Sequence, residues 1–201
     1  MKRYHEPASA DKEFAEFVTE GEPPAVGTTA ELRKLLKEGI RVERAITVMH
    51  PYERDDCELL RALVEQDLLA KLFVIVWSSA DPVRSWLEGL GAMNLHTNTV
   101  HPLPDTMLVE AGKCMVHEQE GGLSTGRGKE AVVQLVRTFA QHGYPVKIAP
   151  WLRAFFAAGG DFEHAESVSK LISEIQRGTK HRVKTRYGDN IFEVLKKRIN
   201  P

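Results

Sequence analysis

The sequence predicts an α/β fold: a small parallel Rossmann-like sheet flanked by helices and followed by a helical, basic C-terminal region. Three observations carry this expectation. Short β-branched runs alternate with amphipathic segments between residues 40 and 97. The longest apolar run, Leu72–Trp77, ends in Ser78, Ser79, Ala80 and Asp81, where a helix should start. The charge also changes sign along the chain: residues 1–125 hold 13 Lys/Arg against 21 Asp/Glu, and residues 126–201 hold 14 against 7.

The elements follow in order. Residues 1–25 read as an N-terminal arm, in which Phe14, Phe17 and Val18 recur at helical spacing before the Pro/Gly break. Thr28 and Glu31 have capping-box spacing, Leu32, Leu35 and Leu36 form an apolar stripe, and Gly39 closes that helix. Ile46–Val48 predicts a strand running to about His50. Acidic residues 53–56 suit the positive end of the next helix, whose buried face is Leu59, Leu60, Leu63, Val64 and Leu68. The strand Leu72–Trp77, a helix with Val83, Trp86, Leu87 and Leu90 on one side, and a weaker third strand at 92–97 complete a βαβ pattern. Trp77 and Trp86 are expected to pack around the turn between them.

Residues 26–102 are thus expected to form the α/β core, and residues 103–201 a helical region packed on that core or standing apart. Asp105, Asp161 and Asp189 read as helix caps. Ala131, Val132, Leu135, Val136, Phe139 and Ala140 share one face, while Trp151, Phe155 and Phe156 read as core.

At 201 residues, 42% hydrophobic and 27% charged, the composition is ordinary for a globular protein. No apolar run approaches the roughly 18 residues of a membrane span. With no apolar stretch behind the basic start, the sequence predicts a cytoplasmic protein. Two cysteines, Cys57 and Cys114, form neither a CxxC pair nor a disulfide framework.

In an open parallel sheet, ligands gather at the carboxyl ends of the strands, where loops meet helix N-termini. His50, Asp81 and His96 would then share one rim, as acid/base groups or metal ligands. Ser78 and Ser79 would donate hydrogen bonds, and Arg127 and Lys129 would add positive charge. Asp81-Pro82 also suits a plain helix start. The Gly122–Lys129 loop lacks the spacing of a Walker phosphate loop, and its looser role competes with that of a simple linker. The constellation suits a hydrolase or transferase of a phosphorylated or nucleotide-type ligand, with no particular cofactor or metal indicated.

Residues 175–201 carry 8 Lys/Arg and 2 Asp/Glu. Lys180, Arg182, Lys184, Arg186, Lys196, Lys197 and Arg198 form the kind of stripe that binds nucleic acid. A helix-turn-helix over residues 150–172 is disfavoured by Glu163, Glu166 and Glu174 of its second helix, which repel phosphates. Two further functional classes therefore stand beside the enzyme: a non-catalytic nucleic-acid-binding protein, and an assembly module that forms homo-oligomers through opposite-charge faces.

Overall fold

The computed structural model describes residues 28–42, 47–51 and 53–199. The expected arm and Ile46 lie outside the described residues. The protein is mixed α/β and mostly helical, with two small two-stranded sheets. The chain divides into two compact units, residues 1–78 and 79–201. The boundary falls inside the Ser78–Ser79 step, and the expected boundary near residue 102 lies within the second unit.

The first unit holds α1 (Thr29–Glu38), β1 (Thr47–Met49), α2 (Arg54–Glu65) and β2 (Leu72–Val74). The capping box forms as expected: the Thr28 N–H donates to Glu31 at 2.7 Å, and the Glu31 N–H donates to Thr28 Oγ1 at 3.3 Å. Gly39 closes α1 in the left-handed region, which a residue without a Cβ reaches at little cost. β1 and β2 are parallel, with Thr47 opposite Leu72 and Met49 opposite Val74. A parallel pair needs a crossover, and α2 supplies it, burying Leu59, Leu60 and Leu63.

The second unit begins with α3 (Pro82–Gly89) and a hairpin of β3 (Met93–Asn94) and β4 (Thr99–Val100). Here the structure departs from expectation. Residues 92–97 do not extend the parallel sheet; β3 pairs antiparallel with β4 in a separate sheet. The reason is local. Asn94 Oδ1 accepts the His96 and Thr97 N–H groups, turning the chain back after two strand residues.

Helices α4 (Thr106–His117), α5 (Gly126–Gln141), α6 (Ile148–Ala157), α7 (Phe162–Gln176) and α8 (Ile191–Ile199) follow, with a 3₁₀ turn at Gln119–Gly121. Asp105 caps α4 and Asp161 caps α7 through their carboxylates. At α8 the first helical carbonyl belongs to Asn190, one residue after the expected Asp189. The core centres on α6, whose Trp151, Leu152, Phe155 and Phe156 are buried and which packs against α3, α4 and α7. Two glycines permit close approaches to the α6 backbone. A Cβ on Gly112 of α4 would lie 2.8 Å from the Ala154 carbonyl oxygen, and one on Gly89 would lie 2.9 Å from that of Arg153. α5 buries Val133 as well as the predicted stripe except Ala140, which is half-buried, so its apolar arc is wider than one face. Trp86 is buried against Phe162, whereas Trp77 is 67% exposed.

No helix among the described residues is long and apolar enough to cross a membrane.

Candidate functional site

The strand-end residues divide between the two units. His50 and Ser78 follow β1 and β2 in the first unit, while Ser79, Asp81 and His96 belong to the second. The three expected acid/base residues therefore do not end neighbouring strands of one sheet. What the first unit does bring together is His50 and Trp77, edge to face with ring centroids 5.5 Å apart. Asp81 occupies the N-cap of α3 and Pro82 its first position, but the Asp81 side chain accepts no capping hydrogen bond. His96 sits exposed in the hairpin turn.

The glycine loop before α5 is explained by packing. A Cβ on Gly128 would fall 2.1 Å from the Gly122 carbonyl oxygen, and Leu123 is fully buried between them. Arg127 is exposed on the first turn of α5, and Lys129 is half-buried.

Residues 177–190, between α7 and α8, are non-helical and are tied to the helices by several side chains. Gln134 of α5 receives them: its Oε1 accepts the N–H groups of Arg186 at 2.8 Å and Tyr187 at 2.9 Å, and its Nε2 donates to the Tyr187 carbonyl at 2.6 Å. Arg137 donates to the His181 carbonyl at 3.1 Å. Arg186 turns inward, where its Nε and Nη2 donate to the buried Glu118 carboxylate. The Tyr187 hydroxyl donates to the Cys114 carbonyl at 3.4 Å. Burial pushes the Tyr187 phenol far above the ordinary tyrosine range, with Cys114 and Glu118 adding to the effect.

This anchoring sorts the cations. The His181 side chain is buried and Val183 half-buried, while Lys180, Arg182 and Lys184 are exposed. That alternation is the signature of an extended chain with one face on the body. Lys196, Lys197 and Arg198 are exposed on α8. None of Lys180, Arg182, Lys184, Lys196 and Lys197 makes an ion pair with another described residue. Of the seven candidate cations, Arg186 alone is committed to a buried carboxylate.

The His181 ring lies beneath this segment. Its Nε2 is 3.4 Å from Glu174 Oε2 but makes no hydrogen bond. Burial holds the imidazole below the ordinary histidine range; Lys129 and Arg137 push the same way, and Glu174 opposes them.

Two other polar groupings escaped the sequence reading. Glu88 is the buried charge of α3: Arg84 Nε lies 2.8 Å and His101 Nε2 3.1 Å from its Oε1, with Arg153 Nη1 3.7 Å from its Oε2. An open cavity of about 490 Å³ is lined by Gln119–Gly122, Asp161, Glu163 and His164. There Asp161 Oδ1 lies 2.7 Å from His164 Nδ1. Its three carboxylates, Glu120, Asp161 and Glu163, set this cavity against phosphate-bearing ligands. Among the described residues no group of three or more His, Cys, Asp or Glu is placed to hold a metal ion. In the sequence, Asp161 read as a cap and Glu88 carried no reading. Arg84 and His164 are local partners, within four residues, whereas His101 and Arg153 reach Glu88 from other elements, which no local pattern reveals.

No protein family, curated protein or solved structure matches the chain.

Proposed function

We propose that the protein binds nucleic acid through the basic C-terminal face of its second unit, without catalysis at that face. One observation carries this reading. Lys180, Arg182 and Lys184 stand exposed and, among the described residues, without acidic partners on a segment that Gln134, Arg137 and Glu118 hold in place. Basic residues on a soluble surface commonly pair with neighbouring carboxylates. Here the pairing goes to Arg186, and the outward cations are left available.

Spacing supports the same reading. At the rise of an extended chain, alternate residues recur about every 6.6 Å, comparable with two phosphate rises of ~3.4 Å for one strand measured along the duplex axis. Five unpaired cations would release counterions on binding, giving a log–log salt slope of about −4. The outward side of α7 carries Glu163 and Glu166; it would repel a duplex, so the contact is assigned to the C-terminal segment rather than to a recognition helix.

The test is titration of fluorescently labelled duplex and single-stranded oligonucleotides across a range of ionic strength. Binding that weakens steeply with salt and tolerates sequence change supports the reading. No binding at low salt, or salt-independent binding, overturns it.

A second reading is favoured by a specific feature of the first unit. Trp77 stands exposed beside His50 at the carboxyl ends of two parallel strands. An indole in that place offers a stacking surface for a base. This keeps a Rossmann-like, nucleotide-type ligand site as the alternative, checked by quenching of Trp77 fluorescence on addition of nucleotides.

A further inference from the structure

A buried imidazole lies in sequence directly between two exposed cations. Lys180 and Arg182 stand in solvent, while the side chain of His181 between them is only 6% exposed. Its Nε2 is buried and, among the described residues, has no hydrogen-bond partner. Glu174 Oε2 lies 3.4 Å away without the geometry of a hydrogen bond. Most buried polar atoms are hydrogen-bonded, and the exceptions mark strained or functional places.

The charged groups that face the ring are of mixed sign. Among the described residues, Lys129 and Arg137 act on it from α5 and Glu174 from α7, with Lys180 and Arg182 on either side in its own segment. Burial is the main obstacle to a proton on this ring, with Lys129 and Arg137 adding to it and Glu174 opposing. The buried place thus accepts the neutral imidazole and resists the imidazolium. Outside it, an imidazolium would stand with Lys180, Arg182 and Lys184, whose mutual repulsion a polyanion offsets. Gln134 holds residues 186 and 187 through neutral groups, so that end of the segment stays anchored whatever the charge on the ring.

We propose, on the footing of the nucleic-acid reading above, that His181 is a proton-gated phosphate contact of the basic segment. When a polyanion binds, the imidazole takes up a proton from solvent, leaves its place beneath the segment and joins Lys180, Arg182 and Lys184 against the phosphates. Binding that takes up a proton strengthens as the pH falls, so affinity at this face is set by pH as well as by salt.

The test titrates a labelled duplex oligonucleotide into the full chain and into His181→Gln at about pH 8 and about pH 5.5, on either side of the ordinary histidine value, each across ionic strength. On acidification the unmutated chain should gain about three- to tenfold more affinity than the variant. Its log–log salt slope should steepen by about 0.7–0.9 more, the mark of one further phosphate. Ring-nitrogen magnetic resonance of the unmutated chain, with His181 assigned through its own backbone, gives a readout that does not depend on the variant. The His181 imidazole should titrate at higher pH with the oligonucleotide than without it. Three results overturn the proposal while the nucleic-acid reading stands: equal pH dependence in the two proteins, a slope that acid steepens no more in one than in the other, or a His181 titration that bound oligonucleotide leaves in place. No binding at either pH overturns both.

Discussion

The Gln134 carboxamide holds Tyr187 by both main-chain groups, its Nε2 donating to the carbonyl at 2.6 Å and its Oε1 accepting the N–H at 2.9 Å. A side chain on α5 thus does for residues 186–187 what a neighbouring strand does in a sheet. Each such bond contributes about 1 kcal/mol net, enough together to order a segment that has no helix of its own. Gln134→Ala should therefore cost about 2 kcal/mol and speed amide exchange at 186 and 187. It leaves net charge unchanged, so any accompanying loss of oligonucleotide affinity reports order rather than charge. Unaltered exchange at both amides would show that Gln134 does not anchor the segment.

Glu88 sits between two guanidinium groups and an imidazole in a largely buried place. Its partners Arg84, His101 and Arg153 are half-buried rather than buried. Removing the carboxylate should therefore cost about 1–3 kcal/mol, between a surface pair and a fully buried one. Glu88→Ala should lower the urea midpoint accordingly. A loss below about 1 kcal/mol, the value of a surface pair, would mean that the network is solvated.

Gly112 offers a test by sign. Alanine is favoured over glycine in a helix by about 1 kcal/mol, so an unhindered site would be stabilised. At Gly112 the new methyl would meet the Ala154 backbone oxygen at 2.8 Å, and backbone cannot rotate away as a side chain can. Overpacking of this kind costs about 1–3 kcal/mol, so Gly112→Ala should lower the melting temperature. At Gly121, where a Cβ meets nothing within 4 Å, the same change should be neutral. A stabilised Gly112→Ala would contradict the close approach of α4 to α6.

His181 sets a pH dependence. Its folded-state imidazole is held below the ordinary range, by burial first. Below about pH 6.5, the unperturbed value, the unfolded chain therefore binds a proton that the folded chain resists. Stability from this group is complete above that pH and falls as the pH drops toward the folded value. Thermal melts between pH 7 and 5 should show a decline that is shallower in His181→Gln. Parallel curves for the two proteins would remove His181 from the account.

Local features were legible in the sequence, and long-range ones were not. Thr28, Asp105 and Asp161 could be placed as caps because a cap is decided within three residues. Leu59, Leu63, Leu135 and Phe139 could be placed in the core because helical spacing declares a face. The hairpin was missed because strands of two residues have no periodicity to read, and Asn94 redirects the chain through a side chain. Trp77 was expected to pack around its turn and is instead 67% exposed, its ring meeting His50 edge to face, since an apolar run does not say where burial stops. Of the basic stretch, the sequence showed seven cations without distinguishing the one bound to Glu118. That pair spans 68 residues of chain, and only the fold brings it together.

The most direct test of the central claim compares the intact chain with Lys180→Gln/Arg182→Gln/Lys184→Gln in oligonucleotide titrations across ionic strength. Each lost phosphate contact should reduce the steepness of the log–log slope by about 0.7–0.9. The account predicts weaker binding to every sequence tested and a slope shallower by about 2–3, with the far-ultraviolet spectrum unchanged. Equal affinity and equal slope in the two proteins would contradict it.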